Sequence, residues 1–276
     1  MEEKVIPKVE IKPYSGWQWI DFKELREYRD LFYFLILRSI KVIYAQTIMG
    51  FTWAIVSPLA QIVVFTIIFG KVAKLPTEGI PYFLFSTLAI IPWNYMLNAV
   101  DASSSSLVTQ QNILGKVYIP RLIFPLVPIF SKFIDFIISL IILLAVLLYF
   151  KVTPGWNLVY LPVFIVMMIT VPAGLGMWLS ALAIRYRDVK FALQFLTRLL
   201  IYSAPILYSA DKIPENYRMI YSLNPIVGVI EGFRASLLNN PIPWEYIFPG
   251  IFTCAIIFVF GALYFRRMER VFVDVI

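Results

Sequence analysis

The sequence predicts an all-α membrane protein with six transmembrane helices, and three observations carry that prediction. Of its 276 residues, 60% are hydrophobic and 15% are charged, whereas a soluble domain has about a quarter charged. The mean hydropathy is +0.79, and the apolar residues fall in blocks of the ~20 residues that cross a ~30 Å hydrocarbon core. Lys and Arg gather near the chain ends and in short polar gaps between blocks, as the positive-inside bias requires. Aromatic residues at 17% supply the Trp and Tyr belts of two interfaces.

Three regions are expected: a cytoplasmic segment over 1–20, an amphipathic interface helix within 21–48, and a six-span region over 49–276. The first ten residues mix Glu and Lys, with no short apolar run before a small-residue cleavage site, so no signal peptide is expected. Asp21 and Glu24 have capping-box spacing. The helix after them sets Phe22, Leu25, Tyr28, Arg29 and Phe32 on one stripe, opposite Lys23, Glu24, Glu27 and Asp30. Such a helix lies on a membrane or against a partner. Arg38 and Lys41 follow, one turn apart, where their stems can snorkel to lipid phosphates.

Spans are expected over 51–70, 82–100, 122–150, 158–184, 191–208 and 246–265. Between the last two, Asn224-Pro225 reads as a helix start, and Glu231 and Arg234 stand three apart on one face. A crossing this polar is costly, so a helical hairpin on the periplasmic side, dipping partway into the membrane or lying at its surface, is expected instead. The charge bias agrees. With a cytoplasmic N-terminus, six spans put Arg185, Arg187, Lys190, Arg266, Arg267 and Arg270 inside, whereas a seventh span would strand the last three outside.

The net charge of +7 is scattered over gaps and ends, unlike the continuous basic face of a nucleic-acid binder. There is no His and a single Cys, Cys254, so the commonest metal ligand and general base are missing and no disulfide within the chain is possible. No Gly-x-x-x-x-Gly-Lys-Ser/Thr run or Gly-x-Ser-x-Gly elbow occurs. No catalytic or metal site is expected. Ionisable groups at membrane depth are functional candidates by default: Asp101, Lys132, Asp135 and Arg198. Lys132 and Asp135 are spaced to neutralise each other. The pairs Phe65 with Phe69 and Phe191 with Phe195 can stack at i,i+4 and offer ring faces to apolar C–H surfaces. The turn Arg185-Tyr186-Arg187-Asp188-Val189-Lys190 joins two long helices compactly enough to transmit motion, or serves as an ordinary positive anchor.

Short motifs in order along the chain resemble the permease of type-2 ABC exporters, in the branch that exports O-antigen, capsule or teichoic acid. They are Tyr28-Arg29-Asp30-Leu31, Tyr44-Ala45-Gln46, Gly50-Phe51-Thr52-Trp53-Ala54, Lys116-Val117-Tyr118-Ile119-Pro120-Arg121, Tyr186-Arg187-Asp188-Val189, Pro205-Ile206-Leu207-Tyr208, Asn224-Pro225 and Glu231-Gly232-Phe233-Arg234. Ile43 departs from the pattern, standing where such proteins often have a basic residue.

The resemblance implies a homodimer in the bacterial inner membrane, with both termini cytoplasmic and paired with two copies of an ATP-binding subunit. ATP and Mg would sit on that subunit, and this chain would bind no cofactor. Glu24, Tyr28 and Arg29, with Arg185, Arg187, Asp188, Val189 and Lys190, would contact it. Trp53, Phe65, Phe69, Phe195, Arg198 and Tyr202 would line a channel for a lipid-linked polysaccharide, and Arg38 and Lys41 would meet lipid phosphate. Asn224, Pro225, Glu231 and Arg234 would belong to the hairpin at its outer mouth. A drug or small-lipid permease, a polyprenyl-linked transferase and a proton-coupled transporter remain alternatives.

Overall fold

The computed structural model describes residues 22–45, 50–77, 79–111, 119–186 and 188–269, and these are helices joined by short connections. The expected segments 1–20 and 270–276 lie outside the described residues, as do Asp21, Gln46, Arg187 and residues 112–118. In chain order the helices are α1 (Phe22–Glu27), α2 (Arg29–Ala45), α3 (Trp53–Phe65), α4 (Tyr82–Ser104) and α5 (Ser106–Thr109). They continue with α6 (Ile123–Tyr149), α7 (Leu161–Arg185), α8 (Val189–Ser203), α9 (Glu215–Ser222), α10 (Pro225–Leu238) and α11 (Trp244–Glu269). A wide π-turn over Thr66–Val72 extends α3, and a 3-10 turn over Trp156–Tyr160 leads into α7.

Among the described residues, five stretches are long and apolar enough to cross a bilayer: Gly50–Val72, Tyr82–Ser104, Ile123–Tyr149, Trp156–Arg185 and Trp244–Glu269. They match five of the six expected spans. The other, expected over 191–208, forms α8 and stops at Ser203. Pro205 is the physical reason, because a proline disfavours helical backbone in the residue before it. Ala204 is accordingly extended, at φ −103° and ψ 151°. Fifteen residues of helix reach about 22 Å, less than the hydrocarbon core.

Helix α4 is the hub. In its most apolar stretch 78% of residues are buried, against 11% for Gly50–Val72. Its start is marked by Gly70, packed on the Tyr82 ring, and its end by Ser103, packed on Gly176 of α7. Near the α4 start Phe85 meets Arg234, while the neighbouring Gly232 packs on Phe164 near the α7 start, so α4 and α7 run parallel, and α8 begins at the same end of the bundle as the α4 C-terminus. Past α8, the Leu207 carbonyl accepts a hydrogen bond from the Tyr82 hydroxyl at 3.2 Å. Residues 189–207 therefore extend from one end of α4 to the other, a length of about 34 Å at 1.5 Å per residue.

Each of the five long stretches holds an internal proline: Pro58, Pro92, Pro128, Pro172 and Pro249. A proline strips its i−4 carbonyl of a partner, which neighbouring helices must then supply. For Pro58 that carbonyl is Ala54, and the Ser139 hydroxyl of α6 donates to it at 3.2 Å.

The closest helix pair is α7 with α11. A β-carbon on Gly261 would lie 2.1 Å from the Gly174 carbonyl oxygen, and one on Gly174 would lie 2.7 Å from the Ile257 carbonyl oxygen. Small residues let membrane helices approach until their backbones touch. Gly261→Val is therefore expected to force the pair apart at a cost of about 2 kcal/mol or more. A thermal melt in detergent should shift down by several degrees, and an unchanged melt would mean the contact can yield.

Candidate functional site

Polar groups at membrane depth collect in two places. The first lies at the Tyr82 end of the bundle. Asn224 caps α10, its side chain accepting from the Ile226 amide at 3.1 Å with Pro225 at the first helical position, as expected. About two turns into α10, Glu231 and Arg234 pair at 2.8 Å, also as expected. Arg234 is 5% exposed. Its guanidinium donates to the Pro205 carbonyl and lies over the Phe85 ring of α4, 3.6 Å from the centroid. Glu231 accepts from the Ala210 amide at 3.2 Å. Two charges thus neutralise each other while holding the non-helical segment after α8 against α4 and α10.

The second place lies deeper, where the end of α2 meets α3, α4 and α6. Lys132 and Asp135 pair at 3.0 Å on α6, each about a quarter exposed. The Tyr44 hydroxyl of α2 donates to the other Asp135 oxygen. Burial, and then the neighbouring carboxylate, raise the Tyr44 phenol above its ordinary pKa, so it stays a donor at physiological pH. On α4, the Asn94 amide donates to Gln61 of α3 at 2.9 Å. Asn98 and Asp101 follow at helical spacing and are exposed. A cleft of about 180 Å³ opens among these groups.

The expected coupling residues occupy one end of the molecule. Arg185 ends α7 and lies over the Tyr186 ring at 5.4 Å. Asp188 precedes α8, Val189 is its first residue, and Asp188 and Lys190 are both exposed. Arg187 is outside the described residues. Glu24 lies in α1, Tyr28 is the hinge between α1 and α2, and Arg29 pairs with Asp30 at 3.5 Å in solvent. Arg38 and Lys41 are exposed on α2. That helix crosses α6 rather than running beside it: from the Phe32–Phe130 ring contact to the Tyr44–Asp135 bond, α2 advances about 18 Å and α6 about 7 Å.

The expected lining residues are on the thinly packed helices. Trp53 is 52% exposed on α3, and on α8 Phe195 and Tyr202 are 64% and 62% exposed, with Arg198 also exposed. Phe65 and Phe69 meet edge-on at 5.4 Å. A stacked Phe191–Phe195 pair is not among the ring contacts of the described residues; both rings point outward, 72% and 64% exposed. Sequence reasoning missed the Tyr44–Asp135 bond and the polar row on α4. The row had a signal, since residues 94, 98 and 101 recur at four and three residues within an apolar span. Among the described residues, no group of three or more His, Cys, Asp or Glu could hold a metal.

Removing Arg234 alone would leave a buried carboxylate without its cation. Arg234→Met is expected to cost about 3–5 kcal/mol, and adding Glu231→Gln to recover much of that. Melting temperatures of the single and double variants check this; a double variant no more stable than the single would refute the pairing argument.

The comparisons with known proteins agree with this architecture. The O-antigen export system permease protein RfbA of Klebsiella pneumoniae is 25% identical over 248 residues, covering 90% of this chain and 95% of the relative. A protein of the same description from Myxococcus xanthus is 25% identical over 80% of this chain and 85% of its own length. The polysialic acid transport protein KpsM of Escherichia coli is 23% identical over 85% of this chain and 92% of its own. The family model described as ABC-2 type transporter matches residues 30–238. The chain, a multi-pass helical membrane protein, therefore belongs to the ABC-2 type transporter membrane family.

Proposed function

We propose that the chain is the transmembrane subunit of an ATP-driven exporter that moves a lipid-linked polysaccharide from cytoplasm to periplasm through a channel formed by two copies. The observation that carries this reading is the near full-length similarity to O-antigen and polysialic acid permeases. The exposed faces of α3 and α8 support the dimer. In α8, Leu193 is the buried residue of fifteen, so most of the helix is left for lipid or for another copy.

A sixth crossing is supported by residues 189–207, which reach from one end of α4 to the other with their last part in turns. Residues 215–238 then form the re-entrant hairpin, both of its helices being too short to span. The positive-inside bias orients the Arg185 end and both termini toward the cytoplasm of a bacterial inner membrane.

The chain has no phosphate-cradling loop of its own, so ATP and Mg belong to two copies of a separate subunit. That subunit docks on α1, Tyr28, Arg29 and the turn 185–190. Its closure on ATP pushes α2, which crosses the bundle, and α8, which starts at the turn. The path between the first and fifth crossings then opens. Arg38 and Lys41 suit the lipid phosphates, and the aromatic rings of α3 and α8 suit sugar C–H faces.

Deleting the coding sequence in the source bacterium tests the export reading. Loss of surface polysaccharide with intracellular build-up of lipid-linked polymer is expected, and unaltered surface polymer would overturn it. Reversing charge at the turn, with Arg185→Glu and Lys190→Glu together, should abolish co-purification of the ATP-binding subunit while the thermal melt is retained.

A further inference from the structure

The cleft between the end of α2 and helices α3, α4 and α6 is polar in the wrong solvent. Asn94 lies about 18 Å along α4, close to its midpoint, and Asn98 stands exposed one turn further on. Hydrocarbon cannot hydrogen-bond to these amides, so the cleft holds water or a polar ligand. Its volume of about 180 Å³ has room for one small ring and not for a chain.

The groups on its walls narrow the ligand further. Lys132 and Asp135 cancel each other, so an anion meets the Asp135 carboxylate and a cation meets the Lys132 ammonium. Neither is favoured. What remains is a set of donors and acceptors without net charge: the amides of Asn94 and Asn98, the hydroxyl of Ser57, and the outer edges of the ion pair. Vicinal hydroxyl groups, each both donor and acceptor, fit that set. Trp53 also lines the cleft and is half exposed, offering an indole face to apolar C–H bonds.

We propose that this cleft is a binding site for a single uncharged pyranose ring, held by the amides and the Lys132–Asp135 pair and stacked on Trp53. It lies within one copy of the chain, so each copy carries one site. The assignment rests on the export reading for its choice of a sugar and adds to it a place where one ring is gripped at mid-membrane.

The test is ligand-observed saturation-transfer NMR on the full chain in lipid nanodiscs. The probes are the methyl pyranosides of glucose, galactose and mannose, each raised to about 100 mM to cover weak binding, with inorganic phosphate as competitor. Saturable binding of at least one pyranoside is expected, with no displacement by phosphate. Ser57→Phe, which fills the cleft, and Asn98→Leu, on an exposed face, should each weaken it at least about tenfold with unchanged thermal melts.

Absence of saturable binding for every pyranoside would overturn the proposal. So would displacement by phosphate, or undiminished binding in both variants. The two readings fail separately. If deletion of the gene leaves surface polymer intact while pyranosides still bind, export falls and the cleft stands. If deletion abolishes surface polymer and no pyranoside binds, the cleft alone falls.

Discussion

The outer architecture depends on the burial of one guanidinium. Arg234 sits at 5% exposure in a helix surrounded by apolar neighbours, where an unpaired cation would be prohibitive. It is held by Glu231 within its own helix, by the Pro205 carbonyl, and by the Phe85 ring of α4. Because Pro205 ends α8, the backbone after Ser203 has carbonyls that no helix supplies with donors. Arg234 and Tyr82 supply them. The same charge that is costly to bury therefore makes a non-helical segment tolerable between helices. Without it the Pro205 carbonyl would lose its donor.

Elsewhere the bundle relies on close approach rather than charge. Lipid tails are as apolar as Leu, so helices in a bilayer gain little from simply hiding apolar surface and need backbone contact and shape fit. Gly174 and Gly261 give α7 and α11 that contact, and Gly232 admits the Phe164 ring against α10, where a β-carbon would be 2.4 Å away. These helices, with α4 and α10, form the well-packed body. Helices α3 and α8 are attached to it more loosely, and the expected lining residues Trp53, Phe195, Arg198 and Tyr202 are carried on those two.

Local features of the sequence were legible in proportion to their range. The Asn224 cap, the Glu231–Arg234 pair and the Lys132–Asp135 pair each depend on residues within one helical turn, and each forms as its spacing implies. Five spans follow from length and hydropathy alone. The fifth expected span ends early, at Ser203, because Pro205 breaks an otherwise apolar run. Contacts far apart in sequence were beyond periodicity. Tyr44 and Asp135 are 91 residues apart, and nothing in either segment specifies the other. The direction in which Asn98 and Asp101 face could not be read from spacing either, since it is set by how α6 and α7 pack around α4.

That direction bears on what must cover the protein. α4 is flanked by α3, through the Asn94–Gln61 bond, and by α8. Its polar row comes to the surface at Asn98 and Asp101, with Asn98 on the wall of the cleft beside α2, α3 and α6. The apolar faces of α3 and α8 could meet lipid at little cost, but the row could not. A dry apolar seam would leave those amides and the carboxylate as badly off as lipid would, since neither offers them hydrogen-bond partners. Water satisfies them, and so do sugar hydroxyls. The exposure of this row at the cleft beside α3 therefore calls for water or a polar ligand next to α4 rather than lipid.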